Sequence, residues 1–188
     1  MILVYCSATG FTQQYAQMLH QKTGLPALPI ERAERELSPG TAIAFLGWLR
    51  AGTIQGLKRA QKRFDVQLVC AVGMAMQYDT VQLARKNGVE AIPFFYLRGG
   101  YAPEKLRGVS KAMMAVMERI IRLNAHKDEQ GRLMLDAVEH GANWVTEEQL
   151  APVVRQMNTR EDEKTGKGGK QTVAVPDLIT SNNFKSTR

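Results

Sequence analysis

The chain has 188 residues, 44% of them hydrophobic, and a formal net charge of +7 at pH 7. This length fits one domain, or one domain with a tail, and it supplies enough apolar material for a full core. No apolar run approaches the length of a membrane span, and the N-terminus lacks the basic leader of a cleaved signal. The positive net charge is compatible with an anionic membrane surface, an acidic protein or nucleic acid as partner, and it does not distinguish among these three.

The cysteine and histidine content favours neither a disulfide scaffold nor a metal site. Cys6 and Cys70 lie in predicted core strands, where reduced thiols act as small hydrophobic side chains. His20, His126 and His140 are far apart and have no metal-ligating residues nearby in the sequence. We therefore expect no metal ion, and we expect a cytoplasmic location with or without peripheral contact to a membrane.

The first predicted element is a buried strand, Met1–Cys6, and an amphipathic helix begins at Gln13. The six residues that connect them are Ser7, Ala8, Thr9, Gly10, Phe11 and Thr12. A strand-to-helix turn of this kind directs free backbone N–H groups and the positive end of the helix dipole at one spot. Three hydroxyls and one glycine, without any Lys or Arg, predict a site for a phosphate group.

The motifs of several phosphate sites are absent from this turn. A P-loop would end in Gly-Lys-Ser/Thr, and a dinucleotide fingerprint would read G-x-G-x-x-G. A cysteine phosphatase would use Cys6 and would need an Arg six residues later, where the chain has Thr12. An ordinary turn, in which Ser and Thr only cap the helix, remains the alternative.

Four more strands alternate with helices along the next hundred residues. The predicted strands are Leu25–Ile30, Thr41–Gly47, Gln67–Gly73 and Ala91–Leu97. The predicted helices are Gly56–Phe64, a helix that follows the loop Met74–Gln77 and ends at Asn87, and Pro103–Leu123, whereas Glu31–Glu36 and Trp48–Ile54 are predicted connections. This alternation predicts a parallel sheet covered on both faces, and right-handed crossovers favour the strand order 2-1-3-4-5. Two prolines place Leu25–Ile30 at a sheet edge, and the loops after strands 1, 3 and 4 would meet at one rim.

The C-terminal third is predicted to be helical and then irregular. Asp128–Glu139 has helical spacing, and Thr146–Gln149 reads as a capping box that opens a last short helix. The chain then becomes polar and basic, which predicts a mostly disordered tail over residues 158–188. The expected organisation is a domain over 1–123, a helical extension over 124–157 that packs on it, and the tail.

Three stretches resemble the flavodoxin-domain family, in the branch that includes protoporphyrinogen-oxidase-like flavodoxins. They are the turn 7–12, the stretch Gly47–Ile54, and Phe94–Tyr101, and the resemblance extends over roughly residues 1–157. It implies an α/β, flavodoxin-like three-layer fold with a five-stranded parallel sheet, and it implies FMN as cofactor. The FMN phosphate would lie on Ser7, Thr9, Gly10, Phe11 and Thr12 in the turn that also contains Ala8. The isoalloxazine ring would lie between Trp48, Leu49, Arg50, Ala51 and Gly52 on one side and Met74, Ala75 and Met76 on the other.

Two features depart from flavodoxins that carry electrons, which are usually acidic and commonly hold the ring between aromatic side chains. This chain is basic, and the loop from Met74 to Met76 offers only apolar contact. Reduced FMN is an anion at neutral pH, so a cation such as Arg50 beside the ring would favour the reduced form. A unit charge about 6 Å away at an effective dielectric near 20 is worth roughly 3 kcal/mol, on the order of 100 mV for one electron. The expected flavoprotein is therefore less strongly reducing than an acidic carrier, and a solvated loop cation is the alternative role for Arg50.

The resemblance predicts an FMN-binding redox protein, either an electron carrier or a small oxidoreductase that acts on quinone- or porphyrinogen-type partners. Its partner would be a redox protein or a small-molecule electron acceptor, and an anionic membrane surface is a further candidate. No side chain is identified as a catalytic acid or base. The alternative is a regulatory or interaction module of the same fold without cofactor. Specific nucleic-acid binding is not expected, because the basic residues are not interleaved with aromatic ones.

Overall fold

A computed structural model of the chain describes residues 1–106, 108–124 and 129–165. The strands are β1 Ile2–Cys6, β2 Ala27–Pro29, β3 Ala42–Arg50, β4 Thr53–Ile54, β5 Asp65–Gly73, β6 Phe94–Arg98, β7 Gly100–Tyr101 and β8 Ala142–Asn143. The helices are α1 Phe11–Thr23, α2 Ile30–Glu36, α3 Leu57–Arg63, α4 Thr80–Asn87, α5 Gly108–Asn124, α6 Glu129–His140 and α7 Ala151–Thr165. Two short 3₁₀ turns, Pro103–Lys105 and Glu148–Leu150, precede α5 and α7.

The main sheet has the strand order β2-β1-β3-β5-β6, and all of these neighbours run parallel. The two-residue strand β4 pairs antiparallel with the end of β3 and does not interrupt this order. When β4 is left out, the five parallel strands numbered along the chain have the predicted order 2-1-3-4-5. The flavodoxin-like three-layer fold is confirmed. The short strand β2, which contains Pro29, lies at the edge of the sheet as predicted.

Each face of the sheet has its own apolar core, because successive strand residues point to opposite sides. Leu3 packs with Tyr15 and Leu19 of α1 on one face. Val4, the next residue, packs with Ile30 and Leu57 on the other. Continuous apolar strands such as β5 are thus explained by burial on both faces.

The two cysteines are free thiols in the strands predicted for them. Cys70 is fully buried, and burial raises the pKa of its thiol. Cys6 is half-buried at the end of β1, and burial raises its pKa as well. Raised pKa values leave little thiolate near neutral pH, so both residues act as packing groups.

The prediction of a polar connector over Glu31–Glu36 was wrong, because this segment lies in α2. Seven residues with two buried apolar side chains give too short a pattern to be recognised as a helix. Contacts distant in sequence stabilise it: Arg59 forms ion pairs with Glu31 and Glu34. Arg63 donates to the carbonyl of Glu34 at 3.0 Å and thereby satisfies a free carbonyl of the last turn.

Two of the three predicted C-terminal segments differ from the predictions. The predicted helix Pro103–Leu123 begins with a 3₁₀ turn, and α5 itself starts at Gly108. Helix α7 continues to Thr165, so residues 158–165 are helical, whereas the rest of the predicted tail, 166–188, lies outside the described residues. Of the predicted helix Asp128–Glu139, the described part forms α6, which ends before Gly141 at a φ of 76°.

Among the described helices, none combines the length and apolar character needed to span a membrane.

Candidate functional site

A cleft of about 620 Å³, which includes its open mouth, lies at the carboxyl ends of the parallel strands. Its walls come from the turn after β1, the end of β3, the end of β5 and the segment that follows β6. The lining residues are Ala8, Thr9, Phe11, Thr12, Trp48, Leu49, Val72, Gly73, Met74, Gly99, Gly100, Tyr101, Ala102, Leu106 and Met114. The topology predicted that these loops would meet at one rim of the sheet, and the cleft lies at that rim.

Half of the predicted site residues line this cleft. Those that do are Ala8, Thr9, Phe11, Thr12, Trp48, Leu49 and Met74. Those that lie outside the lining are Ser7, Gly10, Arg50, Ala51, Gly52, Ala75 and Met76. Of the second group, Ser7, Ala51, Gly52 and Ala75 form hydrogen bonds that hold the surrounding turns.

The turn after β1 is closed by its own first residue. The Gly10 amide donates to Ser7 Oγ at 3.1 Å, so this amide and this hydroxyl are used within the turn. Gly10 adopts a φ of 98°, a left-handed conformation that other residues rarely take, and its carbonyl accepts the first helical hydrogen bond from Gln14. Helix α1 therefore begins at Phe11 with its N-terminus directed at the cleft.

Thr12 is the polar residue of this turn that protein contacts leave unsatisfied. Its side chain is only 1% exposed, and it lines the cleft. Within the described part of the chain, Thr12 Oγ1 has no hydrogen-bond partner, and the amides of Phe11 and Thr12 have no acceptor. Because Thr12 lines the cleft and its hydroxyl is not sealed in the core, the hydroxyl, the two amides and the helix dipole are positioned to act together on an anion that enters the cleft.

The predicted loop Trp48–Ile54 is a β-hairpin instead. Strand β3 continues through Arg50, the turn is made by Ala51 and Gly52, and Arg50 pairs with Thr53 of β4. Both turn residues have a positive φ, 49° and 73°, as the preferred two-residue hairpin turn requires. The prediction failed because Ala is an unusual residue at the first turn position, where Asn or Gly is typical.

Helix α4 holds the hairpin from its C-terminal end. Asn87 accepts a hydrogen bond from the Ile54 amide at 2.9 Å and donates to the carbonyls of Gly52 and Leu83. Lys86 Nζ donates to the Ala51 carbonyl at 2.9 Å. These bonds fix the turn behind Trp48 and Leu49, which face the cleft.

We expect Asn87→Ala to lower the free energy of unfolding by about 2 kcal/mol, because three half-buried hydrogen bonds are lost and a backbone amide is left unpaired. Urea unfolding measures this change. Lys86→Met is the matched control, because it removes one bond at the exposed surface and should cost less than about 1 kcal/mol. Equal losses in both variants would show that Asn87 is not the main support of the hairpin.

Arg50 does not line the cleft, and of the three residues predicted in the loop after β5 only Met74 does. The Arg50 guanidinium lies 5.9 Å from the centroid of the Trp48 ring and outside the lining. In the loop, Met74 lines the cleft, the Ala75 carbonyl accepts a hydrogen bond from the Tyr96 hydroxyl at 2.7 Å, and Met76 is 50% exposed. Arg50 therefore adjoins the site through Trp48 instead of touching a ligand directly.

The wall formed by Gly99–Ala102 was not predicted as part of the site. Strand β7 pairs antiparallel with β8, and the Trp144 amide donates to the Gly99 carbonyl at 2.8 Å. The buried Tyr101 donates its hydroxyl hydrogen to the Glu118 carboxylate of α5. Close packing explains the two adjacent glycines of this wall: a Cβ atom at Gly99 would lie 2.7 Å from the Val72 side chain, and one at Gly100 would lie 2.5 Å from the Phe11 ring.

The predicted capping box at Thr146–Gln149 is wrong for its last residue. Gln149 Oε1 accepts from the Arg98 amide at 2.7 Å, and its Nε2 donates to the Trp144 carbonyl at 2.7 Å. The Arg98 guanidinium lies over the Trp144 ring, 3.8 Å from its centroid. Gln149 thus attaches the C-terminal segment to the end of β6 instead of capping a helix.

Tyr15 supports the same strand end from beneath. It is fully buried, its hydroxyl donates to the Arg98 carbonyl at 2.6 Å, and burial raises its pKa to about 12. Because the folded state holds this proton more tightly than the unfolded chain, the stabilisation is complete below the unfolded pKa near 10 and is lost as the pH rises toward 12.

We expect Tyr15→Phe to cost about 1 kcal/mol of unfolding free energy at pH 8, which is the value of one hydrogen bond. At pH 11 the wild type should have lost about 1.4 kcal/mol more than the variant, so the difference should close or reverse. Denaturant unfolding at the two pH values tests this. A difference that is the same at both would mean that Tyr15 does not titrate in this range.

Comparison with family models, with curated proteins and with solved structures finds no match to this chain. Among the described residues, no group of three or more His, Cys, Asp or Glu side chains could hold a metal ion. The candidate site is therefore defined by its own geometry: a cleft with uncharged walls and, at one end, the N-terminus of α1 with two amides that have no acceptor in the described chain.

Proposed function

We propose that this cleft binds FMN and that the protein is an FMN-dependent redox protein. The observation that carries the proposal is the N-terminus of α1, where the hydroxyl of Thr12 borders the cleft and makes no hydrogen bond within the described chain, beside two amides without acceptors. A phosphate monoester supplies the acceptor oxygens and the negative charge that this arrangement favours. No Lys or Arg lies in the turn, which suits a ligand held by amides and hydroxyls.

The rest of the cleft suits a flat and largely apolar group. Trp48 and Leu49 form one wall and Met74 another, and Gly99 and Gly100 let the backbone approach closely. FMN, when bound, supplies the one- and two-electron chemistry that side chains lack. The residues of this chain would hold its phosphate at Thr12, orient its ring at Trp48 and keep water from it.

The charges just behind the walls bear on the reduction potential of a bound flavin. Arg50 lies behind Trp48, and Arg98 Nε is 3.4 Å from the Met74 carbonyl oxygen. A carboxylate, that of Glu118, lies behind the wall formed by Tyr101, from which it accepts a hydrogen bond. Two cations against one carboxylate favour the anionic reduced flavin, so the protein would be less strongly reducing than an acidic carrier. Because the cations do not line the cleft, we expect a shift of tens of millivolts, smaller than contact with the ring would give.

The partner of this reaction would be a redox protein or a small-molecule electron acceptor of quinone or porphyrinogen type. This assignment rests on the sequence resemblance, and the open mouth of the cleft is compatible with either. The structure does not assign an acid or a base to the chemical step.

Titration of the purified chain with FMN and with riboflavin, followed by quenching of flavin fluorescence, tests the proposal. We expect FMN to bind at least about tenfold more tightly, because riboflavin lacks the phosphate and leaves Thr12 unpaired. A colourless protein that quenches neither compound would favour an interaction module without cofactor. Equal affinities for FMN and riboflavin would show that the turn after β1 does not contact the phosphate, and this would overturn its assignment as the phosphate site.

A further inference from the structure

Helix α5 has an apolar face that does not face the cleft. Met114 and Glu118, four residues apart, lie on the side that faces the cleft and Tyr101. Val116, Ile120 and Leu123 follow each other at spacings of four and three, so they share one face as well. Two residues rotate a helix by about 200°, and the second face is therefore opposite to the first. Its three side chains are 62%, 46% and 74% exposed.

This outer face is too small for a stable contact with a second copy of the chain. Three side chains exposed to this degree present on the order of 300 Å² of apolar surface. A stable dimer buries about 800 Å² on each partner. A two-fold contact through this face would also bring the exposed Arg119 near its own copy, which is unfavourable.

Charge indicates what this face contacts instead. The α5 segment contains three basic residues and a single acidic residue. That acidic residue, Glu118, is on the opposite side, where it accepts a hydrogen bond from Tyr101. Arg119 is exposed beside the apolar face, and Arg122 is exposed one turn further on, although it also pairs with Glu139 at 2.7 Å. Apolar side chains flanked by cations are typical of helices that lie in the surface of an anionic bilayer.

We propose that the outer face of α5, formed by Val116, Ile120 and Leu123, docks on an anionic membrane surface. The helix would lie in the plane of the headgroups with its apolar side chains inserted, and the net charge of +7 would attract the protein to that surface. Because the other side of α5 forms a wall of the cleft through Met114, docking would place the cleft next to the bilayer. The proposal does not depend on the identity of the ligand in the cleft.

Flotation of the full chain with vesicles tests the proposal. Vesicles of phosphatidylglycerol mixed with phosphatidylcholine should bind the wild type, and vesicles of phosphatidylcholine alone should bind it at least about fivefold less well. Val116→Glu combined with Leu123→Glu should reduce binding by about tenfold or more, because apolar contact is lost and two negative charges are added. Arg119→Gln should reduce it by up to about fivefold.

Val81→Glu is the matched control, because Val81 is 68% exposed on α4 and its substitution should leave vesicle binding unchanged. Circular dichroism checks the fold of each variant, and Leu123→Glu alone serves if the double variant does not fold. Binding that is absent from anionic vesicles, or that Val81→Glu reduces as much as Val116→Glu with Leu123→Glu, would overturn the proposal. So would a dimer in solution that the double variant converts to a monomer. FMN titration without vesicles is unaffected by these outcomes, so the two proposals fail separately.

Discussion

Thr12→Val is expected to weaken FMN binding by roughly 10- to 100-fold, because a hydrogen bond to a charged phosphate is worth about 1.5–3 kcal/mol. The same substitution should not destabilise the free protein. Valine keeps the shape of threonine, and the hydroxyl that it removes borders the cleft and makes no hydrogen bond within the described chain. Loss of a hydroxyl without a protein partner should change the free energy of unfolding by less than about 1 kcal/mol. A residue whose replacement harms binding and not stability is one that the fold keeps for a ligand.

Two controls separate the phosphate contact from other effects. Thr12→Ser retains the hydroxyl and should retain most of the affinity for FMN. Riboflavin has the same ring system without phosphate, so wild type and Thr12→Val should bind it equally. Fluorescence titration gives the affinities, and urea unfolding without ligand gives the stabilities. If Thr12→Val weakens riboflavin and FMN alike, or lowers the stability of the free chain by more than about 1 kcal/mol, the hydroxyl has a structural role instead.

Gly100→Ala is expected to lower the free energy of unfolding by about 3 kcal/mol and to abolish flavin binding. A Cβ atom at this position would lie 2.5 Å from the Phe11 ring and would overlap the Ala142 carbonyl oxygen. The Phe11 ring lines the cleft, so its displacement changes the shape of the site, and the carbonyl belongs to the backbone of β8, which pairs with β7. The clash therefore has to be relieved by separating the two strands or by filling the site.

Gly88→Ala is the control for this prediction, because Gly88 has a φ of 66° and open space around its Cα. Its substitution should cost only the strain of a left-handed alanine, about 1–2 kcal/mol. Urea unfolding compares the two variants, and FMN titration should show binding in Gly88→Ala only. A Gly100→Ala protein that is as stable as Gly88→Ala and still binds flavin would mean that the segment after β6 adapts without cost.

The sheet could be predicted from the sequence because each of its central strands is an apolar run bounded by turn residues. Leu68–Val72 and Ile43–Leu46 have no other plausible place than a core covered on both faces. Once the order of the strands follows from the crossovers, the loops at their carboxyl ends must meet. That is why the sequence could predict that the turn at Thr12, Trp48 and Met74 lie at the same rim of the sheet.

Features that depend on contacts distant in sequence were not predicted. The hairpin at Ala51 is held by Asn87, which is 35 residues away from Gly52 and carries no local signal of that role. Helix α2 buries Ile30 and Ala33 and is contacted by Arg59 and Arg63 of α3, and its seven residues alone do not reveal these contacts. Gln149 has the sequence spacing of a helix-capping residue, but its side chain accepts a hydrogen bond from the backbone amide of Arg98 instead. In each case the side chain forms its hydrogen bond or ion pair with a residue that is distant in sequence and comes near only in the folded chain.

The pairing of Gly100 with Asn143 has a consequence for the order of events during translation. Once the ribosome has added Arg98, all five parallel strands of the main sheet have been synthesised. The sheet can therefore assemble while the C-terminal third of the chain is still being added. The segment after β6, however, gains its partner strand only when residues 142–150 have emerged. A nascent chain would thus expose Phe11 and the adjoining strand tips until late in its production, and cofactor capture would be a post-translational event.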